Sequence, residues 1–175
     1  MAPDPRTQTP KPTILLIEDE PAYRAMIAAA IGDQFQVEEA STIAEGLARM
    51  ARHQHYDLVL LDLTLPDSAR ENTLRTVLEE HPEHPPVIVT GYDDTAFVQR
   101  MYVLGARDYL IKGRDDVDAV KLRSRLNTLL LHAQAMRKLG EAKEIVTDTR
   151  HTLETEFVER GTTQTQEPGP ETQNG

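Results

Sequence analysis

Apolar residues along this chain follow two alternating rhythms. Short dense runs, TILLI at Thr13–Ile17, LVLL at Leu58–Leu61 and VIVT at Val87–Thr90, have the composition of strands buried on both faces of a sheet. Between them apolar positions recur every three or four residues, the period of helices that bury one face. Pro21–Ile31 places Tyr23, Ile27, Ala30 and Ile31 on one face, and Pro21 suits a first helical turn. Thr42–Arg52 turns Ile43, Leu47 and Met50 inward, and Glu71–His81 uses Leu74, Val77 and Leu78. A fourth helix, Thr95–Leu104, ends at Gly105, a usual C-terminal residue. Phe35–Glu39 and Arg107–Ile111 complete a set of five strands alternating with helices. That alternation predicts a doubly wound α/β domain with a five-stranded parallel sheet.

The fifth helix, beginning near Asp116, outruns what one domain needs. Leu122, Leu126, Leu129, Ala133 and Met136 are spaced alternately by four and three, a heptad stripe. It resumes as Leu139, Ala142, Val146, Thr149 and Leu153 after a stammer beside Gly140. The expected organisation is a proline-rich disordered arm over 1–12, a domain over 13–131, a helical extension over 132–160 that suits a coiled coil, and a disordered tail over 161–175.

Composition narrows the classes of function. A formal net charge of -10 over 175 residues, with no basic cluster, argues against nucleic acid and anionic membranes as partners. Cysteine is absent, which removes disulfides, thiolate nucleophiles and zinc–thiolate sites. No apolar run approaches a membrane span and the first residues lack a signal core, so a cytoplasmic protein is expected.

The chemistry gathers where strands end. Asp62 interrupts an otherwise apolar run, and a carboxylate belongs at a strand's C-terminal edge, where α/β sheets bind ligands. Glu18 and Asp19 close the first strand, Thr90 the fourth, and Lys112 follows the fifth. In the flavodoxin-like strand order 2-1-3-4-5 the first and third strands are neighbours, so Asp19 and Asp62 face each other with Glu18 beside them. Two carboxylates at ~4 Å repel by roughly 4 kcal/mol at an effective dielectric constant of 20. Such a cluster needs a proton or a cation, and hard oxygen ligands open to solvent suit Mg2+. A strand-end carboxylate with a metal, a lysine and a hydroxyl is a set of groups for accepting a phosphoryl group. Singly, each has a plainer reading, as helix cap or turn residue.

In order and spacing, IEDE, LLDLTLPD, VTG and GARDYLIKG resemble the receiver domain of bacterial two-component response regulators, over roughly Pro12–Leu131. The resemblance implies a non-enzymatic switch in which Asp62 takes a phosphoryl group from a histidine kinase or histidine phosphotransfer protein. It implies Mg2+ held by Asp19, Asp62 and the backbone carbonyl of Thr64, with Glu18 acting through water. Lys112 is implied to pair with phosphoryl oxygens, Thr90 and Tyr109 to form the switch pair, and Thr64 and Tyr92 to tune hydrolysis of the phosphoaspartate. Two departures stand out. Gly113 replaces the proline common after the lysine, which predicts a trans peptide or a shifted Lys112. Arg70 replaces a glycine, which predicts strain if positive φ is needed there.

Some 40 residues follow the domain, and no DNA-binding or enzymatic output motif is expected in them. They are read as a dimerising or partner-docking helix. A homodimer is expected through that extension or through the surface of helix 4, strand 5 and helix 5. His151 invites reading as a phosphorylatable histidine, although exposed helix histidines are commoner, and the other histidines lack metal spacing. Two alternatives are a pseudo-receiver that no longer accepts phosphate and a dehalogenase-like phosphatase. The second wants an Asp where Thr64 stands.

Overall fold

The computed structural model describes residues 10–52 and 55–162, with residue 141 and residues 143–162 described by backbone alone. Two units are distinguished, one running to Gln134 and the other from Ala135. The first contains β1 (Thr13–Ile17), α1 (Pro21–Ile31), β2 (Gln36–Ala40), α2 (Ile43–Arg52), β3 (Leu58–Asp62), β4 (Thr64–Leu65) and β5 (Ser68–Ala69). It continues with α3 (Glu71–Glu80), β6 (Val87–Thr90), α4 (Thr95–Leu104), β7 (Asp108–Ile111) and the start of α5 (Ala119–Thr162). The main sheet is parallel, in the order β2-β1-β3-β6-β7. This is the predicted doubly wound arrangement, with β1 and β3 adjacent at the switch point.

Alternation along the strands sorts side chains into two cores. Leu15, Ile17, Val59, Leu61, Ile88 and Tyr109 pack on one face against Ile43 and Met50 of α2, Leu74 and Val77 of α3, and Phe97 and Met101 of α4. Ile14, Leu16, Leu58, Leu60, Val87, Val89 and Leu110 pack on the other against Ile27 and Ile31 of α1 and the leucines of α5. The sheet is thus covered on both sides, which is why its central strands carry almost no polar residues.

Several boundaries differ from expectation for local reasons. β2 starts at Gln36, because Phe35 is buried while its N–H closes the turn on Ile31. The segment after Asp62 holds a two-residue antiparallel pair, Thr64 with Ala69 and Leu65 with Ser68. Asp67 lies within that hairpin and accepts the amides of Ile43 (3.0 Å) and Ala44 (3.0 Å), supplying partners for the open N-terminus of α2. α5 begins three residues later than expected. Asp118 caps it, accepting the amides of Val120 and Lys121, while Asp116 is occupied elsewhere.

The heptad stripe divides. Leu122, Leu126 and Leu129, with Leu130, are buried in the second core, so the domain consumes that part of the repeat. The large apolar side chains that α5 leaves exposed, among the described residues, include Leu131 of the first unit and Met136 and Leu139 of the second. In the second unit the helical backbone is unbroken through Gly140. The side chains of Val146, Thr149, His151 and Leu153 lie outside the described residues. So do the expected N-terminal arm and C-terminal tail, apart from residues 10–12 and 161–162. Among the described residues no helix is long and apolar enough to cross a membrane.

Leu126 is fully buried between α5 and the sheet. Leu126→Ala is expected to cost about 2–5 kcal/mol, through lost burial and the cavity left behind. A urea titration followed by circular dichroism would read this as a lower midpoint.

Candidate functional site

Parallel register brings the polar strand ends to one edge. Ile17 pairs with Leu61, and the ladder continues one residue further, with the Glu18 amide donating to Ala40. Glu18 therefore lies level with Asp62. Val89 pairs with Asp62 and Ile111 with Thr90, and the Lys112 amide donates to the carbonyl of Thr90. By alternation Glu18, Asp62 and Lys112 share the parity of the face covered by α1 and α5. Thr90 and Tyr109 share that of the face covered by α2, α3 and α4.

The three groups of the first set meet. Lys112 Nζ lies 3.0 Å from Asp62 Oδ2 and 2.6 Å from Glu18 Oε2. The second contact is an ion pair outside hydrogen-bond alignment. Glu18 is 1% exposed and Asp62 4%, so neither charge is relieved by bulk water. Burial raises the Glu18 carboxyl above its ordinary range and the charge of Asp62 adds to this, against the opposing pull of Lys112. Burial works against the Lys112 charge as well, but its bonds to Glu18 and Asp62 outweigh it and raise its pKa. Glu18 Oε1 also accepts the amide of Glu20 at 3.2 Å, and Asp62 Oδ1 the amide of Thr64 at 3.1 Å. Glu18 thus contacts the lysine directly, a contact not expected from the sequence.

Asp19 is exposed beside this pair. One oxygen from each of Glu18, Asp19 and Asp62 lies within 4.8 Å of the others. Arg24, one turn into α1, holds the turn that carries them: its Nη1 donates to the carbonyls of Glu18 (2.6 Å) and Asp19 (3.0 Å), while its Nε donates to Glu39 (3.0 Å). Glu18, Asp19 and Asp62 line a pocket of about 500 Å³ with Glu20, Thr64, Thr90, Gly91, Tyr92 and Lys112.

The other face contributes Thr90 and the two tyrosines. Thr90 is buried, and its hydroxyl lies 3.5 Å from the amide of Tyr92. Tyr109 sits beneath the pocket rather than in its lining. Its ring is buried in the first core and its hydroxyl donates to the carbonyl of Tyr92. Burial pushes the Tyr109 pKa up to about 12. The ring of Tyr92 at the rim lies 5.1 Å from the Arg70 guanidinium, whose Nη2 donates to the Tyr92 hydroxyl at 3.3 Å. All the expected site residues except Tyr109 therefore line one cavity.

The chain belongs to the response regulator receiver domain family. The family's sequence profile matches residues 14–127. Photosynthetic apparatus regulatory protein RegA of Rhodovulum sulfidophilum is 35% identical over 115 residues, covering 63% of this chain and 62% of that protein. Response regulator protein PilR of Pseudomonas aeruginosa is 29% identical over 138 residues, covering 78% of this chain but 29% of that protein. The chain thus spans less than two thirds of either relative. Among solved structures, a receiver domain protein from Clostridium thermocellum aligns with a TM-score of 0.61 and 27% identity, covering 73% of this chain and 98% of that one. A CheY-like receiver domain protein from Methanospirillum hungatei JF-1 aligns at 0.63, with 24% identity and coverages of 73% and 99%.

Both departures from the receiver pattern have a structural form. Among the described residues every peptide is trans, and Gly113 takes φ +75°. Arg70 sits at φ 52° and ψ −122°, the one non-glycine at positive φ among the described residues. A side chain there costs about 1–3 kcal/mol. Sequence reasoning missed Tyr23, Arg24 and Asp116 around Lys112 and the acidic turn. Tyr23 was visible only as part of an apolar helix face.

Arg70→Gly relieves that strain at the loss of the contact with Tyr92. A net stabilisation of about 1 kcal/mol is expected, read as a higher urea midpoint at unchanged slope.

Proposed function

We propose that this receiver is a phosphorylation-driven switch in which Asp62 accepts a phosphoryl group from the phosphohistidine of a histidine kinase or histidine phosphotransfer protein. The observation that carries this is the placing of Lys112 Nζ 3.0 Å from a buried Asp62 carboxylate in a pocket open to solvent. The carboxylate oxygen attacks phosphorus, the new O–P bond forms as the P–N bond breaks, and the imidazole leaves with its electron pair. Lys112 supplies positive charge for the phosphoryl oxygens, and its partnership with Asp62 passes to them. Thr90 offers a hydroxyl from the opposite face at the same edge of the sheet. With Tyr109 it forms the proposed switch pair, while Thr64 and Tyr92 at the rim govern access of hydrolytic water.

The donor set fits Mg2+. Glu18, Asp19 and Asp62 bring three carboxylate oxygens close together with a single ammonium among them, which leaves net negative charge for a hard cation. Asp19 and Asp62 would hold the ion with the Thr64 carbonyl, and Glu18 would do so through water. When bound, the ion supplies neutralisation of the phosphoryl charge. All other steps fall to the chain's own groups.

The proposed output is a protein contact. Leu131, Met136 and Leu139 are exposed on α5, and Tyr102, Val103, Val117 and Val120 are exposed on or beside α4 and α5. These support a homodimer or a docked partner, through the extension or the surface of α4, β7 and α5. The net charge of -10 supports a reading without nucleic acid.

Incubation with phosphoramidate and Mg2+ is expected to add the mass of one phosphoryl group to the intact chain, and Asp62→Asn to add none. An unchanged wild-type mass would support the pseudo-receiver reading instead. A bound ion also stabilises by mass action, about 2.7 kcal/mol at a hundred times its Kd. Mg2+ is therefore expected to raise the melting temperature of the wild type and to raise that of Asp19→Asn much less.

A further inference from the structure

Without a proline after it, Lys112 needs another means of being aimed, because the loop that follows offers little packing. Gly113 has φ +75°, and nothing lies within 4 Å of where its Cβ would stand. We propose that Tyr23 and Asp116 clamp this loop and position the Lys112 ammonium at the acceptor carboxylate. This rests on the reading of Asp62 as the acceptor.

Asp116 is almost completely buried, although it lies in an acidic, turn-rich segment. Its two oxygens are both engaged. Oδ1 accepts the amide of Gly113 at 2.7 Å, and Oδ2 accepts the hydroxyl of Tyr23. One carboxylate therefore fastens the residue after the lysine to the first turns of α1. The next residue back strengthens the hold, since Asp115 Oδ2 accepts the amide of Ile111 at 2.8 Å. The ring of Tyr23, fixed at its hydroxyl end, has Lys112 Nζ 4.5 Å from its centroid. That is cation–π distance for an ammonium largely removed from water. Burial and the Asp116 carboxylate raise the Tyr23 pKa, so the phenol stays a donor across the working range.

The partners of the ammonium are not equivalent. Asp62 exchanges its carboxylate for an acyl phosphate when it is phosphorylated, and Glu18 is claimed by any cation in the acidic cluster. The Tyr23 ring is the partner that neither event alters. It can therefore hold the lysine in place before, during and after phosphoryl transfer. Tyr23 is a positioning residue, acting through Lys112 and touching no reacting atom.

The test uses the full chain with phosphoramidate at saturating Mg2+, read by intact mass, together with NMR of the Lys112 side-chain methylenes. Tyr23→Leu removes ring and hydroxyl. It is expected to slow phosphorylation about tenfold, to leave Mg2+ affinity within about twofold, and to abolish the upfield ring-current shift of the Lys112 methylene protons. Tyr23→Phe keeps the ring and is expected to retain that shift and most of the rate. Wild-type rate in folded Tyr23→Leu, or wild-type Lys112 resonances without a ring-current shift, overturns the clamp. If Tyr23→Leu does not fold, Asp116→Asn serves, because an amide has one accepting oxygen for the two donors. Unchanged rate and unchanged shift in that variant overturn the clamp equally. Should the wild type accept no phosphoryl group, the Asp62 reading fails, and the ring-current shift alone decides whether the clamp exists.

Discussion

Two carboxylates taken out of water and one ammonium set between them are the constraint on which this domain turns. Glu18 follows β1 and Asp62 ends the adjacent β3 with the same parity, so the register brings both carboxylates to one spot. Like charges in that position are costly, and removing one partner from such a group leaves charge buried and uncompensated. Lys112 answers them from the far edge of the sheet, two strands away, and does so only because β6 and β7 continue the same staircase of register. Sheet order, strand lengths and the loop after β7 are all needed to bring that one nitrogen into place.

The sheet also separates two tasks by parity. The acids and the lysine belong to the face packed by α1 and α5, where charge is neutralised. Thr90 and Tyr109 belong to the face packed by α2, α3 and α4, where a hydroxyl and a ring are buried beside it. The faces meet at the strand ends, because Thr90 carries the carbonyl that receives the Lys112 amide. Tyr109 reaches the same edge through its bond to the carbonyl of Tyr92. The two faces are thus joined at this edge by the backbone of Thr90 and Tyr92.

The strands were legible because burial on both faces leaves an unmistakable apolar run, and the cluster because several such runs end in polar groups together, although each alone reads as well as a cap or turn residue. Asp62 is the plainest case. Other features were hidden by ambiguity in the pattern itself. Leu122, Leu126 and Leu129 have a spacing that serves a sheet-packing helix as well as a coiled coil, and periodicity does not say what covers a stripe. Tyr23 falls on an apolar face, so its polar tip and its ring over Lys112 were invisible beside Ile27 and Ile31. Asp115, Asp116 and Asp118 lie close together, and only tertiary contacts decide that Asp118 caps α5 while Asp116 faces inward. The hairpin of β4 and β5 is too short to show any rhythm. Arg70 was legible as a misfit, and it does take positive φ in the turn before α3.

Asp67 joins parts that chain order keeps far apart. Its carboxylate spans the first two amides of α2, while its backbone belongs to the hairpin that leaves the central strand. The start of α2 and that hairpin consequently form one mechanical piece. Because Thr64 of that hairpin lines the pocket, the cap of one helix and part of the pocket wall hang on a single carboxylate.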